Sequence, residues 1–131
     1  MSPESTADLL ATRIRDTVTR YLDAIASGGS ADIVALYADD ATVEDPAGTE
    51  PKTGRDQIAA FYAALDNVRN TTELLTVRVA GNVAAFHFRV VTETGDKTVT
   101  IDPIDVMTFD DQARITSMRA IWAPADVSSS G

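Results

Sequence analysis

"TTELLTVRVAGNVAAFHFRVVTETGDKTVTIDPIDVMTFDDQARITSMRAIW", residues 71–122, decides the fold. β-Branched and aromatic residues alternate with polar ones, and "AGN", "ETGDK" and "DDQA" supply turn residues between the runs. The pattern predicts four strands near 71–80, 83–93, 97–109 and 113–123. Strands joined by such short turns pair as hairpins, so a curved antiparallel sheet is expected. Upstream the period changes. Leu10, Ile14, Val18, Tyr21 and Ile25 recur at helical spacing, while Arg13, Arg15, Asp16 and Arg20 fall elsewhere on the wheel. Gly28 and Gly29 end that helix, and Ser30 is placed to cap a short second one in which Ile33, Leu36 and Tyr37 share a face. "ATVED", residues 41–45, reads as a short strand before the loop "PAGTEPKTG", after which Ile58, Phe61, Tyr62 and Leu65 mark a third helix. Helices followed by a meandering sheet predict an α+β fold with the helices on one face, and the apolar space between the layers is the natural pocket.

A chain of 131 residues suits one domain, 1–131, with about 1–6 and the tail "ADVSSSG" (125–131) expected to fray. The formal charge of −9 repels phosphate backbones and anionic lipid, which argues against nucleic-acid and membrane partners. "MSPESTADLL" lacks the basic and apolar segments of a signal peptide, and no apolar run approaches the roughly 20 residues of a spanning helix, so a cytoplasmic protein is expected. The absence of cysteine excludes disulfides, thiolate catalysis and cysteine-ligated metal, and one histidine leaves no histidine-rich metal spacing. Chemistry must run on carboxylates, phenols, lysines or backbone groups.

Two carboxylates stand out. Period-two counting puts Ile101, Pro103, Asp105, Met107 and Phe109 on one strand face and Asp102 on the other, with Pro103 a point where an edge or bulge would interrupt the count. Asp105 then lies among apolar neighbours. Burial without a cation disfavours its charged form, which predicts a neutral, proton-donating acid. Asp45 shares a face with Val43, whereas Asp39, Asp40 and Glu44 read as solvated surface. Pro46 holds Asp45 extended at the mouth of a loop, a position that fits a mobile, ionised, partly wet base. His87 alternates with Ala85 and Arg89 on the face opposite Phe86 and Phe88, which predicts a surface or subunit-interface residue.

"YLDAIASGG", "IVALYADDATVEDPAGTEPKTG", "FYAAL", "PIDVMTF" and "ITSMRAIW", in this order from Tyr21 to Trp122, resemble the Δ5-3-ketosteroid isomerases. The resemblance implies the cone-shaped α+β fold shared with nuclear transport factor 2, an apolar pocket, no metal or organic cofactor, and a homodimer associated through the open sheet. It implies that the carboxylate of "VEDP", Asp45, is the general base. Tyr21 and a protonated Asp105 would donate to the oxyanion, and Tyr37 and Tyr62 would extend that hydrogen-bond network. Phe61, Phe88, Met118 and Trp122 would line the site for a small apolar steroid-like substrate. The implied reaction moves a double bond from C5–C6 to C4–C5 of a 3-oxosteroid through a dienolate. The extra acid Asp102 departs from the family pattern and leaves the local strand geometry around Asp105 open. The same fold hosts cyclases and epoxide hydrolases acting on other apolar carbon acids or rings, and a non-catalytic carrier of hydrophobic ligands is a further reading.

Overall fold

The computed structural model describes residues 6–130. The predicted helical spacing becomes α1, Thr6–Asp23, which buries Ile14, Thr17, Val18, Tyr21 and Leu22 and leaves its arginines in solvent. Complete burial of Ile14 and Val18 stabilises this packing by roughly 1.5–3 kcal/mol each. The helix loosens into a π-helical turn, Ala24–Gly28, and stops at Gly29, whose φ of 109° favours glycine. Gly29 itself is the N-cap of α2, Ser30–Val34. Ser30 is therefore not the cap. Its amide and hydroxyl both donate to the Asp66 carboxylate, at 2.8 and 2.7 Å, so a distant acid satisfies the exposed helix start.

Tyr37 lies outside α2 and opens β1, Tyr37–Glu44, a longer strand than "ATVED" suggested. A two-residue strand β2, Lys52–Thr53, leads into α3, Arg55–Tyr62, and a 3-10 turn, Ala63–Asn67, that carries Leu65. The hairpins follow as β3 (Arg69–Ala80), β4 (Val83–Thr94), β5 (Lys97–Ile101), β6 (Ile104–Phe109) and β7 (Ile115–Ile121). The single strand expected over 97–109 is split at Asp102–Pro103, because proline has no N–H to continue the ladder. β5 pairs with the C-terminal half of β4, and β6 with its N-terminal half.

The sheet is mixed rather than wholly antiparallel: β1 runs parallel to β7, which in turn pairs antiparallel with β6. Of the C-terminal segment expected to fray, the described residues form a short 3-10 turn and β8, Val127–Ser130, paired along β5, and Gly131 lies outside the described residues. Of the N-terminal residues expected to fray, Thr6 begins α1 and the others lie outside the described residues. One sheet face carries Ala84, Phe86, Phe88, Met107, Phe109, Met118 and Ala120 against the helices. The other leaves Ile104 and Ile121, register partners, each 44% exposed. No helix among the described residues is long and apolar enough to cross a membrane.

Candidate active site

Between the helical layer and the concave sheet lies a cavity of about 320 Å³ lined by Tyr21, Ile25, Asp45, Phe61, Tyr62, Ala64, Leu65, Phe88, Val90, Thr92, Ile101, Pro103, Asp105, Ala120 and Trp122. Its wall is mostly apolar. Polar side chains enter it from several elements: α1 brings Tyr21, the end of β1 brings Asp45, α3 brings Tyr62, β4 brings Thr92 and β6 brings Asp105.

Asp105 is 1% exposed. Although the strand breaks just before it, the period-two face survives: Pro103, Asp105, Met107 and Phe109 are buried, while Asp102 turns outward to Arg89 at 2.8 Å. Asp105 Oδ1 finds no hydrogen-bond partner among the described residues. Burial first, and the negative charge of Asp45 second, push this carboxyl well above the ordinary aspartate range. Such a group holds its proton more tightly than an exposed carboxyl does, and an unpaired buried oxygen is costly unless a ligand meets it.

Asp45 follows β1 directly and is half-buried. Trp122 Nε1 donates to its Oδ1 at 2.6 Å. Burial raises the Asp45 pKa, and the tryptophan hydrogen bond and the charge of Lys52 oppose that rise. The loop that follows is held on both sides. The Ala47 amide donates to the Ala120 carbonyl at 2.7 Å, and Glu44 accepts from the Gly48 amide (2.7 Å) and from Arg119 (2.8 Å). Asp39 and Asp40 are exposed, as expected, and Asp39 faces Arg55 at 3.4 Å.

The three tyrosines form one chain of hydroxyls. Tyr37 and Tyr62 are 2.7 Å apart, and Tyr62 and Tyr21 are 2.9 Å apart. Burial pushes all three phenols well above the usual tyrosine value, so each keeps its hydrogen. Three hydrogens serve two internal bonds. If each is passed toward Tyr21, the one left over belongs to Tyr21 at the cavity wall, where its ring packs edge-on against Phe86 at 6.2 Å. Tyr37, fully buried, supports the chain from behind and does not line the cavity.

Phe61, Phe88 and Trp122 line the cavity, as the resemblance implied. Met118 does not: it sits on β7 opposite Met107 in the core, because the side chains around it fill that part of the interior. Several lining residues were not singled out from the sequence. Val90 and Thr92 continue the alternation begun by Phe86 and Phe88, a signal the pattern contained, whereas Ile25, Ala64 and Leu65 lie at helix ends whose bend no periodicity encodes. Lys52 places its ammonium 5.2 Å from the Phe61 ring centroid at this side of the fold. No cluster of three or more histidine, cysteine or acidic side chains suited to a metal occurs among the described residues.

An apolar cavity lined by a half-buried carboxylate, a fully buried carboxyl and a phenol chain defines a class, and comparison with known proteins agrees. The SnoaL-like domain family matches residues 18–118, and the chain belongs to that family. It is 52% identical over 118 residues to the steroid Delta-isomerase of Nocardioides simplex, covering 90% of this chain and 96% of that protein, and so shares its family too. Among solved structures, SalBIII, an epoxide hydrolase/cyclase-like enzyme with a role in pyran ring formation in the polyether salinomycin, superposes with a TM-score of 0.82 at 23% identity, over 88% of this chain and 95% of that one. At that identity the likeness concerns the fold.

Proposed function

We propose that this protein is a steroid Δ-isomerase, converting 3-oxo-Δ5-steroids to their conjugated Δ4 isomers. The observation that carries the reading is that Asp45, Tyr21 and Asp105 line one apolar cavity. The 52% identity to a protein of that activity supports it. Removing a proton next to a ketone needs a base at the carbon and donors at the oxygen, because the apolar cavity denies the enolate the solvation water would give.

Asp45 takes the proton from C4. The electron pair moves into the C3–C4 bond as the carbonyl becomes an oxyanion, and Tyr21 and Asp105 donate hydrogen bonds to that oxygen. Reprotonation at C6 by the carboxylic acid of Asp45 returns the ketone with the double bond between C4 and C5. Atoms and charge balance, and no cofactor is consumed. Asp45 must be ionised to begin, which its partial exposure and Trp122 favour; Asp105 must be neutral to donate, which its burial favours. Tyr62 and Tyr37 strengthen Tyr21 as a donor by feeding it hydrogen bonds.

Ultraviolet detection of the conjugated enone, as 5-androstene-3,17-dione is mixed with the protein and with Asp45→Asn, tests the assignment. Rapid turnover that collapses in the variant is expected. Background rates for both would turn the search to other carbon acids or to ligand carriage.

The protein is also proposed to act as a homodimer through the outer sheet face. The exposed pair Ile104 and Ile121, beside His87 opposite Ile104, supports this. A sedimentation mass of one chain at micromolar concentration would contradict it.

A further inference from the structure

The inner face of β4 runs Phe86, Phe88, Val90, Thr92 in steps of two. Asp105 is the register partner of Phe86, and Thr92 lies six residues further along, so roughly 20 Å of strand, shortened by curvature, separates the two rows. Both nevertheless line the same cavity. Between them the wall is apolar, with Phe88, Val90 and Ile101. The cavity therefore has a polar reacting end and, far from it, one isolated hydroxyl.

That hydroxyl is braced. Asn70, the cross-strand partner of Thr92, is 6% exposed, and its side-chain carbonyl accepts the Thr92 Oγ1 hydrogen at 2.8 Å. A buried amide beside an apolar pocket is costly unless it is paired. Here the pairing commits the threonine hydrogen to Asn70 and leaves only oxygen lone pairs for the cavity. A ligand hydroxyl can donate to them, while a ligand carbonyl would set lone pairs against lone pairs.

We propose that Thr92, oriented by Asn70, is a hydrogen-bond acceptor at the distal end of the cavity that makes the site prefer a ring substrate bearing a hydroxyl, rather than a ketone, at the end opposite the reacting carbonyl. The proposal rests on the isomerase reading for which end of the ligand lies where. It adds a specificity determinant at a position that takes no part in the proton transfer.

Trp122 is the sole tryptophan and lines the cavity, so its fluorescence reports occupancy without turnover. Titration with testosterone and with 4-androstene-3,17-dione, conjugated ketones that differ at the distal group, is the test. The wild type should bind testosterone about three- to tenfold more tightly, the range expected of one net hydrogen bond. T92V should abolish that ratio by weakening testosterone alone, and T92S should keep it. If T92V lacks the wild-type thermal transition, T92A takes its place. Equal wild-type affinities, or a ratio that survives loss of the hydroxyl, would overturn the proposal while leaving the isomerase reading intact. Failure of both steroids to bind the wild type would overturn both readings.

Discussion

Glu44 and Asp45 adjoin in the chain, and Asp102 and Asp105 are three positions apart, yet each pair is divided between the rim of the molecule and its cavity. At the rim, Glu44 meets Arg119 and Asp102 meets Arg89, both at 2.8 Å. A backbone amide and the arginine hold Glu44 below its ordinary pKa, and the Arg89 hydrogen bond does the same for Asp102. In the cavity, Asp45 and Asp105 have no ion-pair partner among the described residues, and burial moves both pKa values upward. Carboxylates close together in the chain thus acquire pKa shifts of opposite direction according to whether they meet the rim or the cavity.

Asp45→Asn keeps the shape and the loop contacts but removes the base, and carries the largest expected effect. A loss of about 10²–10⁴ in kcat is expected in the enone assay. Retained wild-type turnover would remove Asp45 from the chemistry.

Asp105→Leu should cost about 10²–10³ in kcat, as does loss of one oxyanion donor elsewhere, and Asp105→Asn less, because the amide still donates. Its effect on stability sharpens the comparison. A raised native pKa means that the folded state holds a proton the unfolded chain has released, so wild-type stability falls as pH rises above the ordinary aspartate value. Asp105→Asn cannot titrate. Its stability relative to wild type should therefore rise with pH by up to about 1.4 kcal/mol per unit in that window, read from denaturant midpoints at several pH values. A gap independent of pH would mean that Asp105 ionises normally.

Trp122→Phe keeps the aromatic wall and deletes the 2.6 Å donor to Asp45. That bond favours the carboxylate, so its loss raises the Asp45 pKa and moves the acid limb of the rate profile to higher pH. An unmoved or lowered limb would show that Trp122 does not tune the base.

The smallest effect belongs to the rim. Glu44→Gln, beside the base in sequence but paired outward, should leave kcat unchanged. A loss approaching that of Asp45→Asn would erase the distinction between rim and cavity.

Elements whose signal is local and periodic could be read from the chain before it folds. The apolar spacing of α1 and the alternation of Phe86 and Phe88 were legible, and the period-two count placed Asp105 inward and Asp102 outward. Quoted motifs with their resemblance to a known family supplied the roles expected of Asp45 and Tyr21. Tertiary structure decided what depends on partners distant in the chain. It set β1 parallel to β7 and drew the tail into the sheet as β8, because open strand edges pair with whatever the fold brings alongside. It put Asp66 at the start of α2 in place of a Ser30 cap, left Met118 in the core instead of the cavity, and lined the hydroxyls of Tyr37, Tyr62 and Tyr21 into one chain. Periodicity fixes which way a side chain points, but the groups that meet it there, and hence its proton affinity, are set only when the layers close around it.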